Sequence, residues 1–274
     1  MPSEIISKLK EIASKAPKLV LTIKDSLFLK VGLRIKINAL GLEGNSLRNK
    51  KDGFTYFGLM APNERESDIN IDFSTSDITN NINNYKDEPI QYGRQFRIRF
   101  DINKSCYYIK DCSNGSGYGS FMKIINQIKI KDKTLINIGG NYLAFSFGTN
   151  DYEQLDDEAN EKENGNENEN ESILTIIVFS GESNNISYVF NQNQTNKIYI
   201  GKNENCNIVL NDDFLDDFHC TVEYKNKLGW VINDGYNNKK SEAGTWFGLS
   251  EERKIVEGMI IQSNQNIYEC HITE

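Results

Sequence analysis

The feature that most constrains this chain is the density of short segments that have the composition of β-strands. Runs such as "LVLTI" and "FRIRF" in the first half, and "KIYIG" and "HCTVEY" in the second, are rich in Ile, Val, Thr and aromatic residues. Gly, Asn and Asp separate these runs, and few stretches show the 3.6-residue period of a helix. Many short strands between turn residues predict an all-β fold built from sandwiches.

One helix is expected at the start of the chain, within residues 1–17. Ser3 can cap it, Pro17 ends it, and its apolar face would carry Ile5, Leu9, Ile12 and Ala16. Two interpretations stay open, because the helix can pack on its own domain or lie in a groove of a partner protein. Glu4 and Glu11 interrupt the positive face, which disfavours a membrane-surface helix.

An acidic, Asn-Glu-rich strip at residues 150–172 divides the chain. Residues 151–171 carry ten acidic and one basic side chain, whereas residues 1–150 carry 22 basic and 15 acidic ones. The strip has too little apolar content to offset chain entropy, so we expect a disordered linker. It would separate a basic first lobe at 18–149 from a second lobe at 173–274.

The cysteines and the overall charge restrict the function classes. The five cysteines are scattered without a CxxC pair, which predicts reduced thiols and a cytoplasmic protein rather than a zinc site or a disulfide framework. No apolar run is long enough to span a membrane. The net charge of −8 disfavours nucleic-acid binding. The adjacent glycines in "GGNYLAFSFG" open no helix, so no nucleotide loop or cofactor site is expected.

The two lobes resemble each other in order along the sequence. "TYFG" corresponds to "IYIG", "FRIRFDINKSCYYIKD" to "CTVEYKNKLGWVIND", and "LINIGGNYLAF" to "IIQSNQNIYEC". Self-similarity in the same order predicts a tandem repeat of one sandwich domain.

The segment "NDDFLDDFHC", residues 211–220, gathers four aspartates and a histidine. Carboxylates that share a magnesium ion through a DDxxD pattern need a helix, but strand-like runs flank this segment on both sides. It also lacks the turn glycine and late glutamate of a calcium loop, and a second zinc ligand close to His219. With only two histidines in the chain and no nucleophile elbow, a catalytic triad is not supported.

Several separated motifs in the second lobe resemble the forkhead-associated (FHA) domain. They are "YIGK", "NDDFLDDFHC", "GWVIND", "SEAGT" and "VEGMIIQ", in the order of that family's motifs. The resemblance covers roughly residues 173–274, and the first lobe is similar to a divergent copy. It implies an eleven-stranded sandwich whose loops grip a phosphothreonine peptide, with no catalysis. The tandem, asparagine-rich style is similar to that of FHA proteins from ciliated protists.

The resemblance places altered residues in the phosphate pocket. Lys202 follows Gly201 where the family has an arginine, and remains a cation without the bidentate fork. Asp216 and Asp217 stand at the positions of the phosphate-binding serine and its neighbouring arginine. His219 is retained, and in the family it braces the loop.

The peptide-holding motif of the family is also altered here. Ala243 replaces its asparagine, while Gly244 and Thr245 are retained. In the first lobe, Leu59 follows Gly58 where the arginine would be.

Substituting a carboxylate for a hydroxyl should weaken phosphate binding strongly. An ionised Asp216 has no donor and repels a phosphate. Two like charges about 4 Å apart cost roughly 4 kcal/mol at an effective dielectric near 20. That is half of the roughly 8 kcal/mol that a micromolar affinity represents.

These patterns predict a non-enzymatic protein-interaction or scaffold component, with both phosphate pockets degenerate. The family resemblance favours a ciliary or microtubule-associated assembly. Arg94, Arg97 and Arg99 suggest a surface for an acidic partner such as a tubulin tail or an acidic peptide, or else a solvated strand face. Two alternatives remain: a phosphothreonine-reading adaptor that uses Lys202, and a metal-dependent enzyme that uses the 212–219 cluster.

Overall fold

A computed structural model describes residues 3–60, 69–76, 92–113, 119–148, 173–179 and 185–273. The expected acidic linker at 150–172 lies outside these residues. Within them the chain is all-β apart from one helix, which confirms the predicted fold class.

The elements follow one another as short strands after a single helix. The helix α1 spans Ser3–Ile12. The strands of the first half are β1 (Lys18–Ser26), β2 (Arg34–Asn38), β3 (Gly41–Leu42), β4 (Phe54–Leu59), β5 (Phe73–Ser74), β6 (Gly93–Asp101), β7 (Cys106–Asp111), β8 (Ser120–Lys123), β9 (Ile128–Lys129), β10 (Thr134–Ile138) and β11 (Asn141–Gly148). The second half contributes β12 (Ile173–Phe179), β13 (Ile186–Asn191), β14 (Lys197–Gly201), β15 (Ile208–Val209), β16 (Cys220–Lys225), β17 (Gly229–Asp234), β18 (Thr245–Gly248), β19 (Arg253–Lys254), β20 (Ile260–Ser263) and β21 (Asn266–Thr273).

The chain divides into two compact units, and the first of them is discontinuous in sequence. Unit 1 comprises Met1–Met122 and Gly248–Glu274, and unit 2 comprises Lys123–Phe247. Unit 1 contains the strand orders β8-β20-β21-β1-β2-β3 and β19-β7-β6-β4-β5, and unit 2 contains β13-β12-β11-β10-β18 and β15-β14-β16-β17-β9. Each unit therefore has the two sheets that a sandwich requires.

Unit 1 is completed by the last strands of the chain. Strand β21 runs antiparallel to β1, with Ile272 opposite Leu19 and Cys270 opposite Leu21. Strand β20 pairs with β8, and β19 pairs with β7 through Arg253. Three strands that follow the second lobe's "SEAGT" motif thus belong to the unit that contains the first lobe's start.

Unit 2 is completed in the same way by strands from the first half. Strand β11 runs antiparallel to β12, with Leu143 opposite Val178. Strand β10 pairs with β18, and β9 pairs with β17, where Ile128 faces Ile232.

The two compact units are therefore not the continuous segments 18–149 and 173–274 expected from sequence. The last three strands of each half, β9–β11 and β19–β21, pair with strands of the other half. Because the two halves carry similar strand patterns, either set of strands presents an alternating apolar face that can complete either sandwich. The local sequence pattern determines where the strands form, and long-range strand pairing determines which strands belong to each unit.

The units share one local pairing pattern. In unit 1, β4 pairs in parallel with the short β5 and antiparallel with β6. In unit 2, β14 pairs in parallel with β15 and antiparallel with β16. The similarity of the halves that the sequence shows is thus present in the strand pairing as well.

The apolar face of helix α1 packs against the core of unit 1. The side chain of Leu9 is 1% exposed and belongs to the unit 1 core, and Ile12 and Ala16 pack against that core. Leu9 also lies within 3 Å of the position that a Cβ on Gly53 would take. Of the two interpretations open for the helix, the structure has the one in which it packs on its own unit.

In the described part of the chain, no helix is long and apolar enough to cross a membrane.

Candidate functional site

Three loops of unit 2 meet where the sequence places the phosphate pocket. They follow β14, precede β16 and connect β17 to β18. Gly201 ends β14, and a Cβ there would lie 2.3 Å from the carbonyl oxygen of Asp217, so only glycine fits. The amides of Lys202 and Asn203 then donate to the carbonyls of Asp216 and Asp217 at 3.2 and 3.1 Å. The close approach of two backbones thus fixes the first loop to the second.

His219 joins the second loop to the third. The side chain is fully buried, its Nδ1 accepts a hydrogen bond from the amide of Asp216 at 3.3 Å, and its Nε2 donates to the carbonyl of Gly244 at 3.1 Å. Burial lowers the pKa of His219, because the charged imidazolium would lose its hydration. This geometry matches the bracing role that the family resemblance implies for a neutral imidazole.

Asp216 faces the third loop. Its Oδ2 accepts a hydrogen bond from the amide of Glu242 at 2.9 Å. The carboxylate of Asp216 therefore already holds a backbone donor, and it ties the loop before β16 to the loop before β18. Asp217, beside it, is exposed.

Asp212 has a structural role in the acidic segment. Its Oδ2 accepts from the amide of Gly140 and from Nδ2 of Asn141, both at 2.8 Å, and its Oδ1 accepts from the amide of Phe214 at 2.9 Å. Gly140 and Asn141 lie at the turn between β10 and β11. The carboxylates of Asp212 and Asp216 thus bind separate loops instead of converging on one point.

Among the described residues, no group of three His, Cys, Asp or Glu side chains is placed to share a metal ion.

Asp234 anchors the third loop through hydrogen bonds to its side chains. Its Oδ1 accepts from the hydroxyls of Ser241 at 2.5 Å and Thr245 at 2.8 Å, and all three side chains are buried. The Ser241 hydroxyl oxygen also accepts from the amide of Gly244, whose φ is +81°. The hydroxyl of Thr245 therefore anchors the loop, and it does not point to solvent as a peptide donor.

Ala243 is exposed at the tip of this loop, and its carbonyl oxygen accepts a hydrogen bond from Nε1 of Trp246 at 3.1 Å. Its methyl group offers neither a donor nor an acceptor to a ligand.

A pocket of about 370 Å³ lies between the three loops. It brings together Lys202, Asp216 and Asp217, as the sequence predicted for the pocket. The other lining residues were not predicted, and they are Phe218, Tyr236, Lys239 and Lys240. Two further cations therefore enter the site from the third loop.

A short hairpin fixes the position of these additional lysines. Tyr236 and Lys239 exchange backbone hydrogen bonds at 3.0 and 2.9 Å around Asn237 and Asn238, which both have positive φ. Two positive φ values in a two-residue loop define a type I′ turn, for which asparagine is well suited. The stretch "GYNNKK" carries this signal, so the sequence could have identified the turn and its lysines.

Stacked rings join the walls of the pocket. The rings of Phe218 and Tyr236 are 4.7 Å apart at 27°, and both meet Tyr199 edge-on at 5.8 and 5.5 Å. The three rings come from the second loop, the third loop and β14. Aromatic contacts of this kind make the pocket a preformed feature of unit 2.

The corresponding loops of unit 1 lack a cation after the glycine. Leu59 follows Gly58 and is 6% exposed, so its side chain belongs to the core. A Cβ on Gly58 would lie 2.0 Å from the carbonyl of Gly93, the same kind of close approach as at Gly201.

The three arginines of β6 are engaged within unit 1. Arg99 forms a bidentate pair with Glu252 at 2.8 and 2.6 Å, and Arg97 contacts the same carboxylate at 3.5 Å. The hydrogen bonds between Arg99 and Glu252 raise the pKa of Arg99 and lower the pKa of Glu252. Arg94 stacks on Tyr56, with 3.8 Å between its Cζ and the ring centre. Arg97 and Arg99 share one face as expected, and Glu252 from the end of the chain lies on that face.

The comparison with protein families bears on this pocket. Residues 198–267 match the FHA domain. The matched segment contains all three loops of the site. It also contains strands β19 and β20, so it extends from unit 2 into unit 1. It covers less than half of the chain.

Six chains of solved structures match, among them the FHA domain of the CT664 protein from Chlamydia trachomatis. That match has 12% sequence identity and a TM-score of 0.20, and it covers 36% of this chain and 95% of that chain. No curated protein matches.

Proposed function

We propose that this chain is a non-enzymatic protein-interaction component of a larger assembly, and that its FHA pocket no longer reads phosphothreonine. One observation carries the proposal. Asp216 replaces the hydroxyl donor, and its carboxylate accepts a backbone amide hydrogen bond across the pocket. A carboxylate in this position repels a phosphate electrostatically and has no hydrogen-bond donor to offer it.

The test is a phosphothreonine peptide library titrated against the full chain, with an unphosphorylated copy of each peptide. We expect no peptide to gain affinity from its phosphate. In Asp216→Ser, which removes the charge and restores the hydroxyl, a phosphate-dependent affinity should appear. A wild-type chain that prefers phosphorylated peptides by tenfold or more, about 1.4 kcal/mol, would refute the proposal.

A phosphothreonine-reading adaptor is the second candidate. It is favoured by the three lysines in the pocket, since ammonium groups bind phosphate as point charges. This reading requires phosphate-dependent binding that is lost in Lys202→Ala. Binding that survives Lys202→Ala would have to come from another surface.

The setting in a ciliary or microtubule-associated assembly is part of the first proposal, and it rests on the ciliate-type sequence style. An acidic partner at Arg94, Arg97 and Arg99 would have to displace Glu252, which lies on the last two. If that surface is used, Glu252→Gln should strengthen binding of a tubulin-tail peptide. The triple Ala variant of the arginines should abolish it, and unchanged, salt-sensitive binding would count against this surface.

A further inference from the structure

The charged groups of the unit 2 pocket differ in whether they are already paired. In the described part of the chain, the exposed side chains of Lys202 and Lys239 have no hydrogen bond or ion pair. Lys240 donates from Nζ to the carbonyl of Ile125 at 2.6 Å. Of the two carboxylates, Asp216 holds the amide of Glu242, and only Asp217 is uncommitted. The lining of the pocket carries three lysines and two aspartates, so its net charge is +1, and two of the three lysines are unpaired among the described residues.

This situation is the opposite of that at the arginines of unit 1. There, Glu252 pairs with Arg99 at 2.6 Å and with Arg97 at 3.5 Å, and Arg94 stacks on the ring of Tyr56. An acidic partner that binds the arginines would first have to break their ion pairs with Glu252, which costs free energy. An acidic partner that binds unpaired lysines does not have this cost. The charge complementarity of an acidic partner thus favours the unit 2 pocket over the strand face.

The position of the two unpaired lysines is fixed by the backbone. Lys202 follows Gly201, whose approach to Asp217 allows no Cβ. Lys239 closes the type I′ turn, and the stacked rings of Phe218 and Tyr236 lie between the loops. Because the two loops are fixed, binding would have to order only the lysine side chains and not the backbone that carries them, which reduces the ordering cost.

The remaining polar groups fit separate carboxylates better than one phosphate. A phosphate concentrates about two negative charges and needs several donors at one point. The hydroxyls of Ser241 and Thr245, which belong to the third loop, are not available as donors because both donate to Asp234. Acidic side chains spaced along a peptide each carry one charge, and each can pair with one lysine at a distance from Asp217.

We infer that the pocket formed by Lys202, Lys239, Phe218 and Tyr236 binds an unphosphorylated acidic peptide segment of a partner protein. Its Asp and Glu carboxylates pair with the two lysines, and its backbone lies on the stacked rings. The inference rests on the proposed function and gives that function its ligand chemistry.

The test uses the full chain and a fluorescent peptide of alternating Glu and Gly, at low and physiological ionic strength. We expect binding that weakens with salt, and that the matching Gln peptide does not reproduce. The double variant Lys202→Ala/Lys239→Ala should raise the Kd about tenfold. Asp217→Asn should lower it about threefold, because it removes one of the two carboxylate charges of the pocket.

Lys227→Ala is the matched control, since Lys227 is an exposed lysine in the turn at the other end of the β16–β17 hairpin. It should leave the Kd unchanged. No binding of the Glu peptide, or binding lost in Arg97→Ala/Arg99→Ala but not in the lysine variant, would overturn the inference and leave the proposed function standing. A phosphothreonine peptide that binds more tightly than the Glu peptide, in a Lys202-dependent way, would overturn both.

Discussion

Cutting the chain between its two halves tests the strand exchange directly. A protease site placed within residues 151–171 would yield an N-terminal fragment that ends after β11 and a C-terminal fragment that begins with β12. If each half formed its own sandwich, the cut would leave two independent domains. In the observed pairing, each compact unit contains strands from both fragments, so the cut chain should remain one complex.

The expected affinity of the fragments follows from what they bury in each other's units. The C-terminal fragment contributes five large buried side chains to unit 1, namely Leu249, Ile255, Met259, Ile261 and Tyr268. The N-terminal fragment contributes six to unit 2, namely Ile124, Ile130, Ile136, Ile138, Leu143 and Phe145. At about 2 kcal/mol for each side chain, the gross stabilisation is about 22 kcal/mol. Association costs about 10 kcal/mol, which leaves a Kd between micromolar and nanomolar.

The assay is size-exclusion chromatography with light scattering, before and after cleavage, at micromolar concentration. The cleaved protein should elute with the mass of the intact chain, 31.3 kDa, and separate into fragments only in guanidinium. Each fragment produced alone should lack a cooperative unfolding transition, because it holds only part of each core. Separate peaks after cleavage, or a fragment 173–274 that folds cooperatively by itself, would refute the exchanged pairing.

Three further predictions concern single contacts. His219→Gln should cost about 2 kcal/mol at neutral pH. Burial lowers the pKa of His219 in the folded state below the ordinary histidine value of about 6.5. The stabilisation from His219 is therefore complete above about pH 6.5 and is lost as the pH falls through the folded pKa. The difference in unfolding free energy between wild type and variant, measured by denaturant unfolding, should shrink in that window. A double-mutant cycle of Arg99→Ala and Glu252→Ala should give a coupling of about 1 kcal/mol, and no coupling if Glu252 belonged to a different unit from Arg99. Gly235→Ala should lower the thermal midpoint far more than Gly32→Ala, because both glycines have positive φ but only at Gly235 would the new Cβ meet a backbone oxygen, at 1.8 Å, whereas Gly32 has open space.

Local sequence pattern predicted the helix and most of the longer strands with their buried faces, but not the two-residue strands such as β9 and β19. In β11, for example, Leu143 and Phe145 alternate with more exposed residues, and Leu9 marks the buried face of α1. The choice of partner for β11 could not be read in this way. A strand with an alternating apolar face fits β12 as well as β1, so the pairing depends on the whole chain and not on the strand itself.

The sequence predicted some of the residues that line the site, but it did not predict the directions in which their side chains point. The sequence placed Lys202, Asp216 and Asp217 in one pocket, and the structure brings them together. It did not place Lys239, although the Asn237–Asn238 pair signals the tight turn that brings this lysine into the pocket. It also could not show that Asp216 points to the amide of Glu242, since the direction of a carboxylate depends on the donors around it.

The strand exchange and the pocket are linked through Asp212. Its carboxylate holds the second loop to Gly140 and Asn141, and both of those residues belong to the first half of the chain. Strand β10, which precedes that turn, pairs with β18 directly after the third loop. The pocket, whose lining residues all lie in the second half, therefore depends on the first half for two of its three loops. Peptide binding measured on residues 173–274 alone would report on a pocket without these supports, so the ligand chemistry of Lys202 and its neighbours belongs to the whole chain.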